Sequence, residues 1–109
     1  MACGGLPIGS TTFLVTTTTA DSTLGLNVGS PVTGKSYHIT DMVVSSDTEM
    51  TISMTESDND PVMDAMYFPK QAIWSKTWCT SIVLHPTTNL VVTGSAAGNV
   101  SVIITGYLK

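Results

Sequence analysis

Two histidines, His38 and His85, and two cysteines, Cys3 and Cys79, are the side chains of this 109-residue chain best suited to nucleophilic or metal chemistry. A hydrolytic triad needs a histidine beside a nucleophile, with a carboxylate to orient it. The chain has no G-x-S-x-G elbow that would expose such a serine. Zinc needs three or four converging His, Cys or carboxylate ligands, and no C-x-x-C or H-x-x-x-H spacing is present. Glu56, Asp58, Asp60 and Asp64, with Asn59 among them, gather hard oxygen atoms that could hold Ca²⁺. Their spacing lacks the Gly and the distal Glu of an EF-hand loop. Asp, Asn and Pro are also ordinary turn residues, and the segment is read as a solvated turn. Trp74 and Trp78, with Tyr67 and Phe68, could form a sugar-stacking platform; filling a core or a subunit interface is the commoner role for such residues. The expectation is a non-enzymatic chain with no catalytic residue, no cofactor and no assigned metal site.

The cysteines are too few for a disulfide framework. In a reducing cytosol both are expected as free thiols, with Cys79 packed as a small buried hydrophobe. A Cys3–Cys79 bridge requires the N-terminal arm to fold back within reach. Asn99-Val100-Ser101 matches a glycosylation sequon, read as coincidence because Met1-Ala2-Cys3-Gly4-Gly5 has neither the basic nor the apolar region of a secretory signal. That start is read as intracellular.

The elements that must carry these residues are strands. Thr, Val and Ile number 18, 11 and 7, while Glu, Gln and Arg total three residues. β-Branched side chains are stiff and suit a pleated surface, and the scarcity of helix formers disfavours long helices. Residues 1–10 are read as an extended arm, broken by three glycines and a proline. Residues 11–109 are read as one sandwich domain. Strands are expected at 11–19, at a short edge piece around 24–28, at 36–45, 49–56, 72–75, 79–84, 89–93 and 100–108. In 49–56, Met50, Ile52 and Met54 alternate with polar residues, which marks a strand with one buried face. In 36–45, Tyr37, Ile39, Asp41 and Val43 share one face. The two segments, joined by Ser46-Asp47-Thr48, are expected to form a hairpin. Residues 57–64 read as a loop, with a helical turn near 62–67 stopped by Pro69. Gly106 marks a bulge or a close approach. About eight short strands with regular turn signals give an all-β, antiparallel, jelly-roll-like β-sandwich.

Charged residues are only 11% of the chain and the net charge is −4, with four lysines and no arginine. That lacks the basic footprint of a nucleic-acid binder and the polybasic patch of a membrane binder. Hydroxyl groups must cover much of the surface instead.

Residues 36–108 resemble the small jelly-roll structural proteins of tailed bacteriophages, especially capsid decoration or cement proteins. The resemblance rests on Tyr37-His-Ile-Thr-Asp-Met-Val-Val-Ser-Ser, the alternating strand 49–56, Tyr67-Phe68-Pro69, and the ending Asn89-Leu-Val-Val-Thr-Gly-Ser-Ala-Ala-Gly-Asn-Val-Ser-Val-Ile-Ile-Thr-Gly-Tyr. It implies a structural virion protein that trimerises on the capsid surface at junctions between major capsid proteins, assembled in the host cytoplasm. A neck, tail or fibre component and a carbohydrate-binding sandwich module are the alternatives.

Overall fold

The computed structural model describes residues 8–19, 23, 25–58 and 60–109, apart from the side chain of Asp64. The expected arm therefore falls largely outside the described residues. Eight strands follow one another: β1 Thr11–Thr19, β2 Leu26–Val28, β3 Tyr37–Ser46, β4 Met50–Glu56, β5 Pro61–Phe68, β6 Ala72–Val83, β7 Leu90–Gly94 and β8 Val100–Leu108. They form two four-stranded sheets. Sheet I runs β1-β8-β3-β6 and sheet II runs β2-β7-β4-β5. The antiparallel partners nest: β1 with β8, β2 with β7, β3 with β6 and β4 with β5. This is the jelly-roll order, in which a long hairpin folds over on itself.

Alternation explains why the sheets stack. Met50, Ile52 and Met54 of β4 and Leu90 and Val92 of β7 are buried, as are Val100, Val102 and Ile104 of β8. Their neighbours along each strand are half-exposed. One face of each sheet is thus apolar, and the two faces close on each other.

Four expectations are corrected. First, β3 and β4 do not form a hairpin. β3 lies in sheet I and β4 in sheet II, so Asp47–Glu49 crosses between sheets. Both strands bury an apolar face, and facing each other across the sandwich satisfies both. The crossing is clamped to the one before β8: Asn99 donates its backbone N–H (2.9 Å) and side-chain N–H (2.6 Å) to the Asp47 carboxylate. Second, the loop after β4 is shorter than expected. Residues 62–67 belong to strand β5 and form no helical turn, because Pro61 sits at the first position of an edge strand, where no ladder N–H is needed. Third, 72–75 and 79–84 are largely one continuous edge strand, β6.

Fourth, β3 changes phase. The register with β8 slips between Ile39 and Asp41. His38 and Ile39 pair with Tyr107 and Gly106, and Asp41 resumes opposite Thr105, so Thr40 is an extra residue. This β-bulge puts Tyr37 and Ile39 on the inner face together with Met42 and Val44, and turns Asp41 and Val43 outward. β6 carries its own excursion, with residues 78–81 lying between the pairs Asp41–Thr77 and Ile39–Ile82.

Candidate functional site

Two places gather polar chemistry. The first lies at one end of sheet II, where β4 turns into β5. The Glu56 N–H donates to the Asp60 carbonyl at 2.8 Å, and the Asp60 N–H donates to Asp58 Oδ1 at 3.2 Å. These bonds close a tight Asx-type turn. The loop between β6 and β7 lies against it. Glu56 is buried, with 5% of its surface exposed. Its Oε1 accepts from the His85 backbone N–H and from Thr88 Oγ1 at 3.0 Å. Its Oε2 lies 2.9 Å from His85 Nδ1. Asp60 Oδ2 and Asp58 Oδ2 approach the same nitrogen at 3.2 and 3.7 Å.

One ligand atom from each of Glu56, Asp58, Asp60 and His85 falls within a 4.8 Å cluster. Three carboxylates and an imidazole form a donor set that suits a small divalent cation. The sequence grouped Glu56, Asp58 and Asp60 correctly, whereas the Asp64 side chain lies outside the described residues. It missed His85, which is 29 positions from Glu56 and arrives only through the chain topology. The one local signal, His85-Pro86 just after an apolar run, marks a turn and nothing more.

The second place is the outer face of sheet I. Because strand pairing is continuous from β1 through β8 and β3 to β6, side chains on this face line up in rows. One row is Leu14, Thr105, Asp41 and Thr77, and the next is Thr16, Ile103, Val43 and Ser75. Asp41 is the ionised group at the centre of this face. It accepts hydrogen bonds from Thr77 Oγ1 (2.7 Å), Thr40 Oγ1 (3.0 Å) and Thr105 Oγ1 (3.1 Å). The Thr77 bond most of all holds its carboxyl below the usual range, with Thr40 and Thr105 adding to it against the opposing effect of partial burial.

His38 sits toward one end of the face, stacked on Tyr107 with ring centroids 4.6 Å apart and planes 14° from parallel. Burial lowers its pKa from 6.5, and the Lys109 charge lowers it further. The unfolded chain therefore takes up a proton before the folded one does. His38 costs nothing above pH 6.5, destabilises the fold as pH falls below 6.5, and adds no further loss below its folded pKa. Urea unfolding midpoints of the wild type should drop between about pH 7.5 and pH 5 by more than those of a His38→Gln variant. Equal drops would refute this assignment.

Trp74 and Trp78 do not form an exposed platform. They are half-buried, pack against the core and meet edge to face at 6.3 Å. Phe68 is buried, while Tyr67 is exposed and donates its hydroxyl to Glu49. Cys79 also departs from expectation. It is exposed on β6 and disulfide-bonded, so it is neither a buried residue nor a free thiol.

No protein-family model matches the chain, and no curated protein matches it. Among solved structures it is similar to a chain of the virus-like particle of extra small virus from the giant freshwater prawn Macrobrachium rosenbergii, determined by cryo-EM. The identity is 8%, the match covers 99% of this chain and 84% of that one, and the TM-score is 0.47. At that score the likeness adds nothing to the functional argument.

Proposed function

We propose that this chain is a structural virion protein of the capsid cement or decoration type, acting as a homotrimer on the capsid surface and binding the major capsid protein. The observation that carries this reading is the outer face of sheet I. Its rows are built from Thr, Ser and aliphatic side chains, with Asp41 as the central charge. Charged groups lose hydration when covered, and that cost opposes burial of an ordinary protein surface. Here the cost is small, because the hydroxyls can bond across an interface and Asp41 already has three donors. Leu14 and Ile73, 69% and 76% exposed, supply apolar area on the same face.

Four strands at about 4.8 Å spacing and some eight residues at about 3.3 Å rise give a face of about 500 Å². A stable interface takes about 800 Å² per partner. One copy alone is therefore a weak binder, and three linked copies gain by multivalency. The resemblance of residues 36–108 to phage cement proteins supports the same reading. The half-buried tryptophans weigh against a carbohydrate-binding module.

The test is co-sedimentation with purified capsids, with light scattering for oligomeric state. Saturable binding at fixed stoichiometry is expected. A Leu14→Lys, Thr16→Lys double variant should unfold at a temperature close to wild type and lose binding. Undiminished binding by that variant would remove this face from the proposal. Failure of the wild type to bind heads, with binding to tails or fibres, would move the protein to another virion position.

A further inference from the structure

We propose that Glu56, Asp58, Asp60 and His85 bind one divalent transition-metal ion of the Zn²⁺ class, and that this ion pins the β4–β5 turn to the β6–β7 loop. The inference is independent of the capsid reading.

Three observations carry it. The first is that the donors come from two separate loops, which the backbone already locks together. The Ser57 N–H donates to the Asn89 carbonyl at 2.9 Å, and the Asn89 N–H donates to Ser57 Oγ at 3.2 Å. Next to His85, the Leu84 N–H donates to the Tyr37 carbonyl at 3.0 Å. An imidazole from 29 positions away is thus held against a closed turn of carboxylates.

The second is that one hydrogen cannot serve all of these atoms. His85 Nδ1 faces Glu56 Oε2 at 2.9 Å, Asp60 Oδ2 at 3.2 Å and Asp58 Oδ2 at 3.7 Å. A ring nitrogen carries at most one hydrogen, which can point at one of the three. Glu56 has only 5% of its surface exposed. Its Oε1 is served by the His85 N–H and the Thr88 hydroxyl, while its Oε2 faces Nδ1. With the imidazole hydrogen on Nε2, Oε2 is a buried carboxylate oxygen without a donor, aimed at the Nδ1 lone pair. A cation between them satisfies both atoms, and the two aspartates with them. Among the described residues no lysine takes that place, because every ion pair runs through His85.

The third is spacing. Ligand atoms about 2.1 Å from a Zn²⁺-sized ion stand about 3.0 Å apart in an octahedron and about 3.4 Å apart in a tetrahedron. The three separations around Nδ1 bracket those values. All four donor atoms lie within 4.8 Å of one another. Asp58, Asp60 and His85 are exposed, so the ion enters from solvent and mobile side chains close the remaining gap. The imidazole selects the metal: carboxylates alone suit Ca²⁺ or Mg²⁺, whereas a nitrogen donor favours Zn²⁺.

The test uses the full chain, stripped with a chelator, dialysed, and titrated calorimetrically with Zn²⁺ and, separately, with Ca²⁺. One Zn²⁺ per chain is expected. At a hundredfold excess over Kd, the unfolding temperature should rise by about 10 °C, and chelator should reverse the rise. An Asp58→Asn, Asp60→Asn double variant, changed only at exposed positions, should unfold like the metal-free wild type and bind Zn²⁺ at least about tenfold more weakly. His85→Gln should lose the preference for Zn²⁺ over Ca²⁺. No saturable Zn²⁺ binding, or undiminished binding by the double variant, overturns the site. Ca²⁺ bound as tightly as Zn²⁺ by the wild type overturns the assigned metal class.

Discussion

A Gly106→Ala substitution is expected to destabilise the protein by about 3 kcal/mol or more. A Cβ at Gly106 would lie 1.9 Å from the His38 carbonyl oxygen, 3.0 Å from its carbonyl carbon and 3.2 Å from Ile39 Cα. All three atoms are backbone, so no side chain can rotate away to make room. β8 and β3 are the central strands of sheet I, and Gly106 pairs with Ile39 just before the Thr40 bulge. Relieving the clash means parting the two strands at the bulge. That would cost ladder hydrogen bonds and the packing of Ile39. Thermal unfolding of purified Gly106→Ala measures the effect, and a midpoint matching wild type would show that the strands do not approach as described.

Replacing Ile104 with alanine is the second large effect, about 2–5 kcal/mol. Ile104 is fully buried on the inner face of β8, between Val15 of β1 and Met42 of β3. Three strands converge on this position, so the surrounding side chains cannot collapse freely into the space left. Domains of this size hold only about 5–15 kcal/mol in total, so the variant should lie near the edge of folding. The adjacent Ile103 points to the outer face. Ile103→Ala is expected to cost less than about 1 kcal/mol, like other surface changes. Urea denaturation of the pair gives the comparison. Equal losses would mean that the inner and outer faces of β8 are assigned wrongly.

These two residues also show how much the sequence could reveal. Val100, Val102 and Ile104 alternate so regularly that the strand and its buried face are legible, as they are for Met50, Ile52 and Met54. The runs 11–19 and 100–108 coincide with β1 and β8 because β-branched residues predominate in both. Alternation identifies a buried face but does not name the partner, so the chain neighbours β3 and β4 read as a hairpin when they face each other across the core. β6 read as two pieces because it is an exposed edge strand, where Ser75, Lys76 and Thr77 face solvent and no alternation survives. The face of Asp41 was misplaced because one inserted residue, Thr40, inverts every side chain that precedes it. Gly106 hinted at that bulge from the opposite strand. In the acidic cluster, Glu56, Asp58 and Asp60 are close in sequence and therefore visible. His85 belongs with them only because β4 and β7 are neighbours in sheet II.

The nested pairing of the strands also sets the order in which the chain can fold. Only β4 and β5 are joined by a short connection while being direct partners. Three further partnerships enclose it in turn: β3 with β6, then β2 with β7, then β1 with β8. Each must bring together segments further apart along the chain, and loop-closure entropy delays such contacts until inner ones are in place. Folding should proceed outward from the β4–β5 turn and finish when β1 meets β8, on the millisecond-to-second scale of all-β topologies. A ribosome makes β8 last of the eight strands, so β1 waits for its partner until β8 has emerged. During that interval its row of threonines, six of the nine residues from Thr11 to Thr19, keeps an unpaired strand hydrated and slow to aggregate.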